Sequence, residues 1–148
     1  KNQTGLVLSA VNTGTRFEFV QVHALVTDSY GQIPKRLSSR YPNNRLLLLT
    51  AVMQKYLRAP LYKYDIYVDL TTDFFVNDYG VDAAIVAAVY SSLKELPVLG
   101  NKLVYGEVLL TGDIRSPHPE TQLDRLLRGT QLNRTNASTV VELIKELF

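Results

Sequence analysis

The chain contains no cysteine and only two histidines, His23 and His118. Without cysteine it can form neither a disulfide framework nor a thiolate metal site, and two histidines are too few for a histidine-based metal centre unless carboxylates contribute ligands. It also lacks an apolar run near the ~18 residues that a transmembrane helix needs. These absences predict a cytoplasmic protein with no metal site and no membrane partner.

Acidic side chains are scarce in the first part of the chain. Residues 1–64 contain nine Lys and Arg against two acids, a balance of +7, whereas residues 65–148 contain seven against twelve, a balance of −5. The length of 148 residues predicts a single domain, in which both parts fold around one core. The asymmetry predicts one basic and one acidic face, which suits a polyanion partner or a head-to-tail contact between identical subunits. The alternative is that the charges are scattered over the surface.

Hydrophobic periodicity predicts a mixture of strands and helices. Strands are expected at residues 5–11, 17–26, 64–70 and 103–110, and the first two should form a hairpin. The second strand is predicted to be mostly buried on both faces. Helices are expected from Asn43 or Asn44 to just before Pro60, over residues 82–96 and 120–128, and from Ser138 onwards. One of the two asparagines is predicted to cap the first of these helices, and residues 138–142 have a capping-box-like spacing at the start of the last. The helix over residues 82–96 is apolar on most sides and is therefore predicted to be central.

Residues 27–42 are polar and interrupted by proline, which predicts an exposed loop. The loop contains Lys35, Arg36 and Arg40, and Arg45 follows in the first turn of the next helix, where an exposed cation opposes the helix dipole. Cations of this kind, with tyrosines nearby, are used for phosphate contacts and base stacking. These four residues are the candidate DNA-binding set, and a merely solvated loop is the alternative.

Two histidines raise the question of acid–base chemistry. His23 lies in the middle of an apolar strand and is interpreted as a hydrogen-bonded core or interface residue. A Ser-His-Asp triad using His23 or His118 stays open at this point, although no nucleophile elbow accompanies either residue.

An ordered series of segments resembles a known family. Ser91-Ser92 near the end of a helix is followed by Pro97 and then by Gly-Glu-Val-Leu-Leu-Thr-Gly-Asp-Ile-Arg at residues 106–115. This order resembles the C-terminal Lon-protease-like domain of the RadA (Sms) family of bacterial DNA-recombination ATPases. Gln-Val-His-Ala-Leu-Val at 21–26, Pro-Lys-Arg at 34–36 and Asn-Arg-Leu-Leu-Leu-Leu at 44–49 agree in the same order. The resemblance covers roughly residues 5–126.

The resemblance also implies where catalytic residues would stand. Lon proteases use a Ser–Lys dyad, in which a lysine of lowered pKa deprotonates the serine. On the family pattern the serine position falls at Gly80 and the lysine position near Thr121, so both members of the dyad are missing. The resemblance therefore implies a domain without catalytic residues, and no enzyme activity is expected.

The expected fold is α+β: a mixed or largely antiparallel sheet of four to six strands packed with helices, as in the Lon proteolytic domain and the second domain of ribosomal protein S5. The resemblance implies a non-catalytic scaffold that assembles into a ring, a hexamer in the full protein, and contacts DNA non-specifically during branch migration. A recombinase filament is a further expected partner. ATP, magnesium and zinc are expected only in other parts of such a protein. The alternatives are an oligomerisation-only module and a residual hydrolase with an unrecognised nucleophile.

The chain departs from the family pattern before its last helix. The family has a further strand and loop there, whereas residues 129–137 predict only a short polar link. The sequence thus predicts a single RadA-type Lon-like domain over residues 1–148, excised from a longer chain, with its last strand region shortened.

Overall fold

A computed structural model describes residues 3–98 and 101–148 of the protein. The described strands are β1 (Leu6–Asn12), β2 (Phe17–Asp28), β3 (Arg36–Ser39), β4 (Tyr64–Leu70), β5 (Lys102–Leu103), β6 (Glu107–Val108), β7 (Ile114–Arg115) and β8 (Asn133–Arg134). The described helices are α1 (Asn43–Tyr56), α2 (Asp82–Lys94), α3 (Glu120–Leu127) and α4 (Val140–Leu147). The predicted α+β class, with a mixed sheet and packed helices, is confirmed.

The main sheet has four strands in the order β1-β2-β4-β3. β1 and β2 form the predicted antiparallel hairpin, and β4 pairs antiparallel with the other edge of β2. β3 pairs parallel with β4, so the sheet is mixed. The predicted strand over residues 103–110 is in fact two short strands, of which β5 pairs with β8 and β6 with β7.

The prediction of a loop throughout residues 27–42 is wrong, because β3 lies within it. β3 is polar because it is an edge strand, with Leu37 exposed and no second neighbour in the sheet. The parallel ladder to β4 is supported at its start by a hydrogen bond in which the Lys35 amide donates to the Asp65 carboxylate at 2.7 Å. Hydrophobic periodicity cannot detect a strand that is held mainly by backbone pairing.

One face of the sheet carries the larger core, formed with α1, α2 and α4. The small residues of α2 let this helix lie close to β2, and every residue from Asp82 to Val89 is buried, as its sequence predicts. The largest buried side chains of this core include Leu46, Leu49, Met53, Ile66, Leu70, Ile85, Leu143 and Leu147.

The prediction that β2 is buried on both faces is wrong. Phe17 is buried in a second, smaller core with Leu103, Tyr105 and residues of α3. Further along the same face Phe19, Gln21, His23 and Leu25 are exposed, because α3 covers only one end of the sheet. His23 is therefore not a core residue.

The two serines in the family-like segment fasten the end of α2 to the sheet. The Ser91 hydroxyl accepts a hydrogen bond from the Gly5 amide at 2.8 Å, and the Ser92 hydroxyl accepts one from the Val26 amide at 3.0 Å. Both amides lie where the pairing of β1 with β2 ends, so no strand carbonyl is available to accept their hydrogen bonds. The two serine hydroxyls take the place of those carbonyls.

Helix starts differ in how they are capped. The predicted asparagine cap of α1 is wrong: Pro42 precedes the helix, and the Asn43 carboxamide instead accepts a hydrogen bond from the Ser38 amide. The predicted capping box of α4 is confirmed, because the Thr139 hydroxyl accepts from the Glu142 amide at 3.1 Å. The Glu142 carboxylate accepts from the amide of Ser138, one residue before the N-cap, at 2.9 Å, in place of the Thr139 amide of a standard capping box.

The link before α4 is more than the polar connection that the sequence predicts. It contains β8, a two-residue strand that pairs parallel with β5. Within the described residues no helix combines the length and apolar character that crossing a membrane requires.

Candidate functional site

Gly80, to which the family resemblance assigns the missing serine, lies in a turn of 3-10 helix (Tyr79–Val81) directly before α2 and is buried. A Cβ atom at this position would overlap the ring of Tyr105. The Tyr105 hydroxyl donates to the Asp78 carboxylate, with oxygen–oxygen distances of 2.9 and 3.0 Å. The space that a nucleophilic side chain would need is therefore filled by a fixed tyrosine ring.

Thr121, near the position of the missing lysine, is exposed in the first turn of α3. Its neutral hydroxyl cannot take the role of an amine with a lowered pKa. The two positions that the resemblance assigns to the dyad thus hold a glycine covered by an aromatic ring and a threonine in solvent.

Asp78 is a buried carboxylate that is hydrogen-bonded on all sides. Besides Tyr105, it accepts hydrogen bonds at 2.8 Å from the amides of Asn12 and Gly80. His118 approaches it, with 3.8 Å between Nε2 and Oδ1, which is longer than a hydrogen bond. Asp78 therefore joins the β1–β2 turn to the start of α2 and holds the Tyr105 ring in place.

Among residues 3–98 and 101–148, neither histidine takes part in a Ser-His-Asp triad. Ser116, the serine nearest in sequence to His118, donates its hydroxyl to the His118 backbone carbonyl at 2.7 Å. In the part of the chain that the structure describes, no hydroxyl hydrogen-bonds to the His23 or His118 ring. Among the same residues, no group of three or more His, Asp or Glu side chains is arranged to hold a metal ion.

Asp82, the first residue of α2, is the second buried carboxylate. It accepts hydrogen bonds from the Tyr41 hydroxyl at 2.5 Å, from the Val108 amide at 3.1 Å and from the Arg45 guanidinium. The Arg45 Nε atom lies 3.1 Å from both carboxylate oxygens, and its Nη2 atom also donates to the Val108 carbonyl at 2.9 Å. This network fastens α1 and β6 to the start of α2.

The expectation that Arg45 is an exposed cation is wrong. Its side chain is only 15% exposed, its guanidinium is covered by the Tyr79 ring at 4.4 Å, and the hydrogen bond to Asp82 raises its pKa. An arginine with these partners has its charge compensated inside the protein. The sequence alone does not reveal that Asp82 is the partner of Arg45, because the two residues lie 37 positions apart in the chain.

The other three predicted cations do not form one patch. Arg36 is half-buried and donates to the backbone carbonyls of Tyr64 and Leu61 at 2.5 and 2.8 Å, and burial lowers its pKa. Lys35 and Arg40 are exposed but stand at opposite ends of β3. At about 3.3 Å per residue they lie roughly 16 Å apart, far enough to contact separate phosphates.

A second pair of cations, missed in the sequence, lies at the other end of the sheet. Arg16 in the β1–β2 turn and Arg125 on α3 line one shallow cleft together with Thr15 and Gln122. Arg16 is also within 3.5 Å of Glu18, an exposed pair that contributes little to stability. The sequence offered little signal for this pair, because Arg125 lies in the acidic part of the chain and 109 positions from Arg16.

Because Tyr41 and Tyr105 are buried, we expect the protein to lose stability at alkaline pH. Burial, followed by the neighbouring carboxylates Asp82 and Asp78, raises the pKa of each tyrosine above the ordinary value of ~10. The unfolded chain ionises at these tyrosines above about pH 10 whereas the folded chain does not, so stability is full below that pH. Above it, the free energy of unfolding should fall by about 1.4 kcal/mol per pH unit for each of the two residues.

Urea unfolding between about pH 9 and 11 measures this loss. Tyr105→Phe should remove about half of the two-tyrosine decrease, whereas the matched control Tyr30→Phe, at a 93% exposed position, should leave it unchanged. A Tyr105→Phe protein with the wild-type pH dependence would contradict the prediction.

Comparison of the sequence with known proteins places the chain in a family. No protein-family model matches the chain. It is 37% identical over 112 residues to the DNA repair protein RadA of Campylobacter jejuni, an alignment that covers 76% of this chain and 25% of that protein. The chain belongs to the RadA family. It is also 36% identical to RadA of Pseudomonas aeruginosa over 118 residues and 33% identical to RadA of Escherichia coli over 119 residues.

These two RadA alignments each cover 80% of this chain and 26% of the relative. The chain thus spans about a quarter of the length of the curated relatives it matches. The predicted RadA resemblance is confirmed for the sequence, and the Lon-like designation of the fold stays a prediction.

Proposed function

We propose that the chain is a non-catalytic scaffold domain of a RadA-type DNA repair protein, which contributes self-assembly and non-specific DNA contact. The observation that carries the proposal is the Tyr105 ring beside Gly80, since it leaves no room for a nucleophile at the position where a peptidase of this kind would have one. Membership of the RadA family supplies the DNA repair context. Asp78 accepts a hydrogen bond from Tyr105 and so holds that ring in place. This structural role supports a scaffold more than a reaction centre.

Self-assembly is proposed for the exposed face of the sheet. Leu25, Tyr67 and Leu37 are neighbours across β2, β4 and β3, and they form an apolar row on this face. Leu25 is 56% exposed and Leu37 49%, an exposure of large apolar side chains that is typical of a protein–protein interface. In a heterologous contact this face would bind a different surface of the next copy. Repeated around an axis, such contacts would give the closed ring, a hexamer, that we propose for the full protein.

DNA contact is proposed for the exposed cations of the sheet ends. Lys35 and Arg40 flank β3, and Arg16 and Arg125 line the cleft beside α3. Four cations of this kind neutralise about four phosphates, so log affinity should fall with log salt at a slope of roughly −3 to −4 on duplex DNA. A single copy should bind weakly, with a dissociation constant of ~10⁻⁴ to 10⁻⁶ M, and a ring should bind more tightly by multivalency.

Fluorescence anisotropy with a labelled duplex tests the DNA contact. Lys35→Glu with Arg40→Glu, and separately Arg16→Glu with Arg125→Glu, should each weaken binding to all sequences alike and reduce the salt slope by about two. The matched control is Lys94→Glu with Lys145→Glu, which changes net charge by the same amount at exposed positions away from both sites. It should change the slope little.

The outcome separates this proposal from its rivals. If the wild-type protein shows no salt-dependent binding at low ionic strength, or if both double reversals behave like the control, the domain is an oligomerisation-only module. If it hydrolyses a substrate with a catalytic nucleophile, the non-catalytic part of the proposal is wrong.

A further inference from the structure

A cleft of about 600 Å³ opens beside the buried Asp78, between the end of the β1–β2 hairpin and the segment that follows β4. One wall contains Thr13 and Glu18 from the hairpin, and the other contains Phe74, Phe75 and Asn77. His118 closes one side, where its ring packs edge-on against Phe17 with the ring centres 5.9 Å apart. The volume lies in the range of natural ligand pockets.

Two neighbouring phenyl rings are exposed at this cleft. Phe74 is 40% exposed and Phe75 54%. In the described part of the chain, neither ring stacks on another aromatic ring or lies beneath a lysine or arginine. Adjacent exposed phenyl rings that line a cavity can pack against the aliphatic part of a ligand side chain or bind a cation.

The ionisable groups of the cleft favour a cation over a phosphate. Glu18 and Asp78 are carboxylates, His118 is the only basic group, and no lysine or arginine is among the lining residues. Asp78 is already satisfied by the amides of Asn12 and Gly80 and by Tyr105. Glu18 pairs with the largely exposed Arg16 at 3.5 Å, a weak contact that a cation of a ligand can replace. Phosphodiesters would meet two negative charges here, whereas an ammonium or guanidinium would be attracted.

Neutral polar groups complete the cleft. The Asn77 side chain is exposed and makes no hydrogen bond to another described residue, so its carboxamide can both donate to and accept from a peptide group. The cavity is several times larger than one arginine side chain needs, so it accommodates the neighbouring residues of a chain.

We propose that this cleft binds a basic segment of a partner polypeptide, with a lysine or arginine stem between Phe74 and Phe75 and its charge beside Glu18. Asn77 would hydrogen-bond the backbone of the segment. Binding occurs without hydrolysis, because the position next to Asp78 that would need a nucleophile is Gly80. The lining residues of the cleft do not include the cations assigned to DNA, and the two sites adjoin only where Glu18 pairs with Arg16. Phe75→Ala tests the cleft without changing that pair.

Selection from a phage-displayed library of random seven-residue peptides on the immobilised chain tests the proposal. Peptides with a lysine or arginine beside an apolar residue should be enriched. Synthesised with a fluorescent label, the best peptide should bind about tenfold more weakly when its arginine is replaced by citrulline, or its lysine by acetyl-lysine, since the cation–π contact and the ion pair are lost together.

Variants of the chain locate the binding. Phe75→Ala should weaken peptide binding by about tenfold, and Glu18→Gln should weaken it by about fivefold. Tyr30→Ala and Glu95→Gln, exposed residues outside the cleft, are the matched controls and should leave binding unchanged. Both test variants replace partly exposed side chains, so their urea unfolding midpoints should match that of the wild type.

Three results would overturn the proposal. The first is a selection that enriches no basic peptide. The second is binding that Phe75→Ala and Glu18→Gln leave at the wild-type level. The third is displacement of the peptide by a twelve-residue oligothymidylate whose own binding is lost in Phe75→Ala, which would assign the cleft to single-stranded nucleic acid.

Discussion

Replacing Gly80 by serine is expected to destabilise the protein by about 3 kcal/mol and to create no peptidase. The backbone of Gly80 does not have the positive φ that only glycine tolerates well, so the cost arises from the overlap of any Cβ with the Tyr105 ring. To relieve that overlap the ring must move and give up its hydrogen bond to Asp78. Urea unfolding measures the loss, and a fluorophosphonate probe reports whether the new serine reacts.

A double-mutant cycle isolates the cause. Gly80→Ala should cost nearly as much as Gly80→Ser in the wild-type background but little in a Tyr105→Ala background, where the ring is absent. Gly31→Ala is the matched control, since a Cβ there would meet its nearest neighbour only at 3.7 Å. A Gly80→Ser protein as stable as the wild type, with a serine that the probe labels stoichiometrically, would show that the position can still hold a nucleophile.

Replacing Arg45 by alanine should cost about 3–5 kcal/mol of stability, because it leaves the buried Asp82 carboxylate without its counter-ion. Tyr41 and the Val108 amide would still donate to Asp82 but cannot neutralise its charge. Arg45→Lys keeps the charge and loses the two-pronged contact with both carboxylate oxygens, so it should lie between wild type and Arg45→Ala. Urea unfolding monitored by circular dichroism provides the measurement.

The exposed pair Arg16–Glu18 supplies the control. Both side chains are exposed, at 75% and 43%, and their charged atoms lie 3.5 Å apart, so Arg16→Ala should change stability by less than about 1 kcal/mol. A DNA-contacting Arg45 would give the opposite pattern, with intact stability and a weaker salt dependence of DNA binding. That result would restore Arg45 to the candidate DNA-binding set.

The sequence alone was enough to predict the helices and strands in which buried residues recur at a regular spacing. The alternation of β4, the apolar surface of α2 and the capping box of α4 all predict their structures, because each depends on residues close together in the chain. The family resemblance was also available from sequence order, and it located the glycine and threonine at the dyad positions.

The tertiary structure alone decided what the charged and aromatic side chains do. Arg45 is adjacent to Asp82 only after α1 packs against α2, and Tyr105 reaches Gly80 only after the segment before β6 lies along the start of that helix. Likewise Arg16 and Arg125, and the wall residues of the cleft beside Asp78, come from separate parts of the chain. A charge in a sequence shows its sign, but whether it is free for a partner depends on which opposite charge or backbone carbonyl folding places beside it.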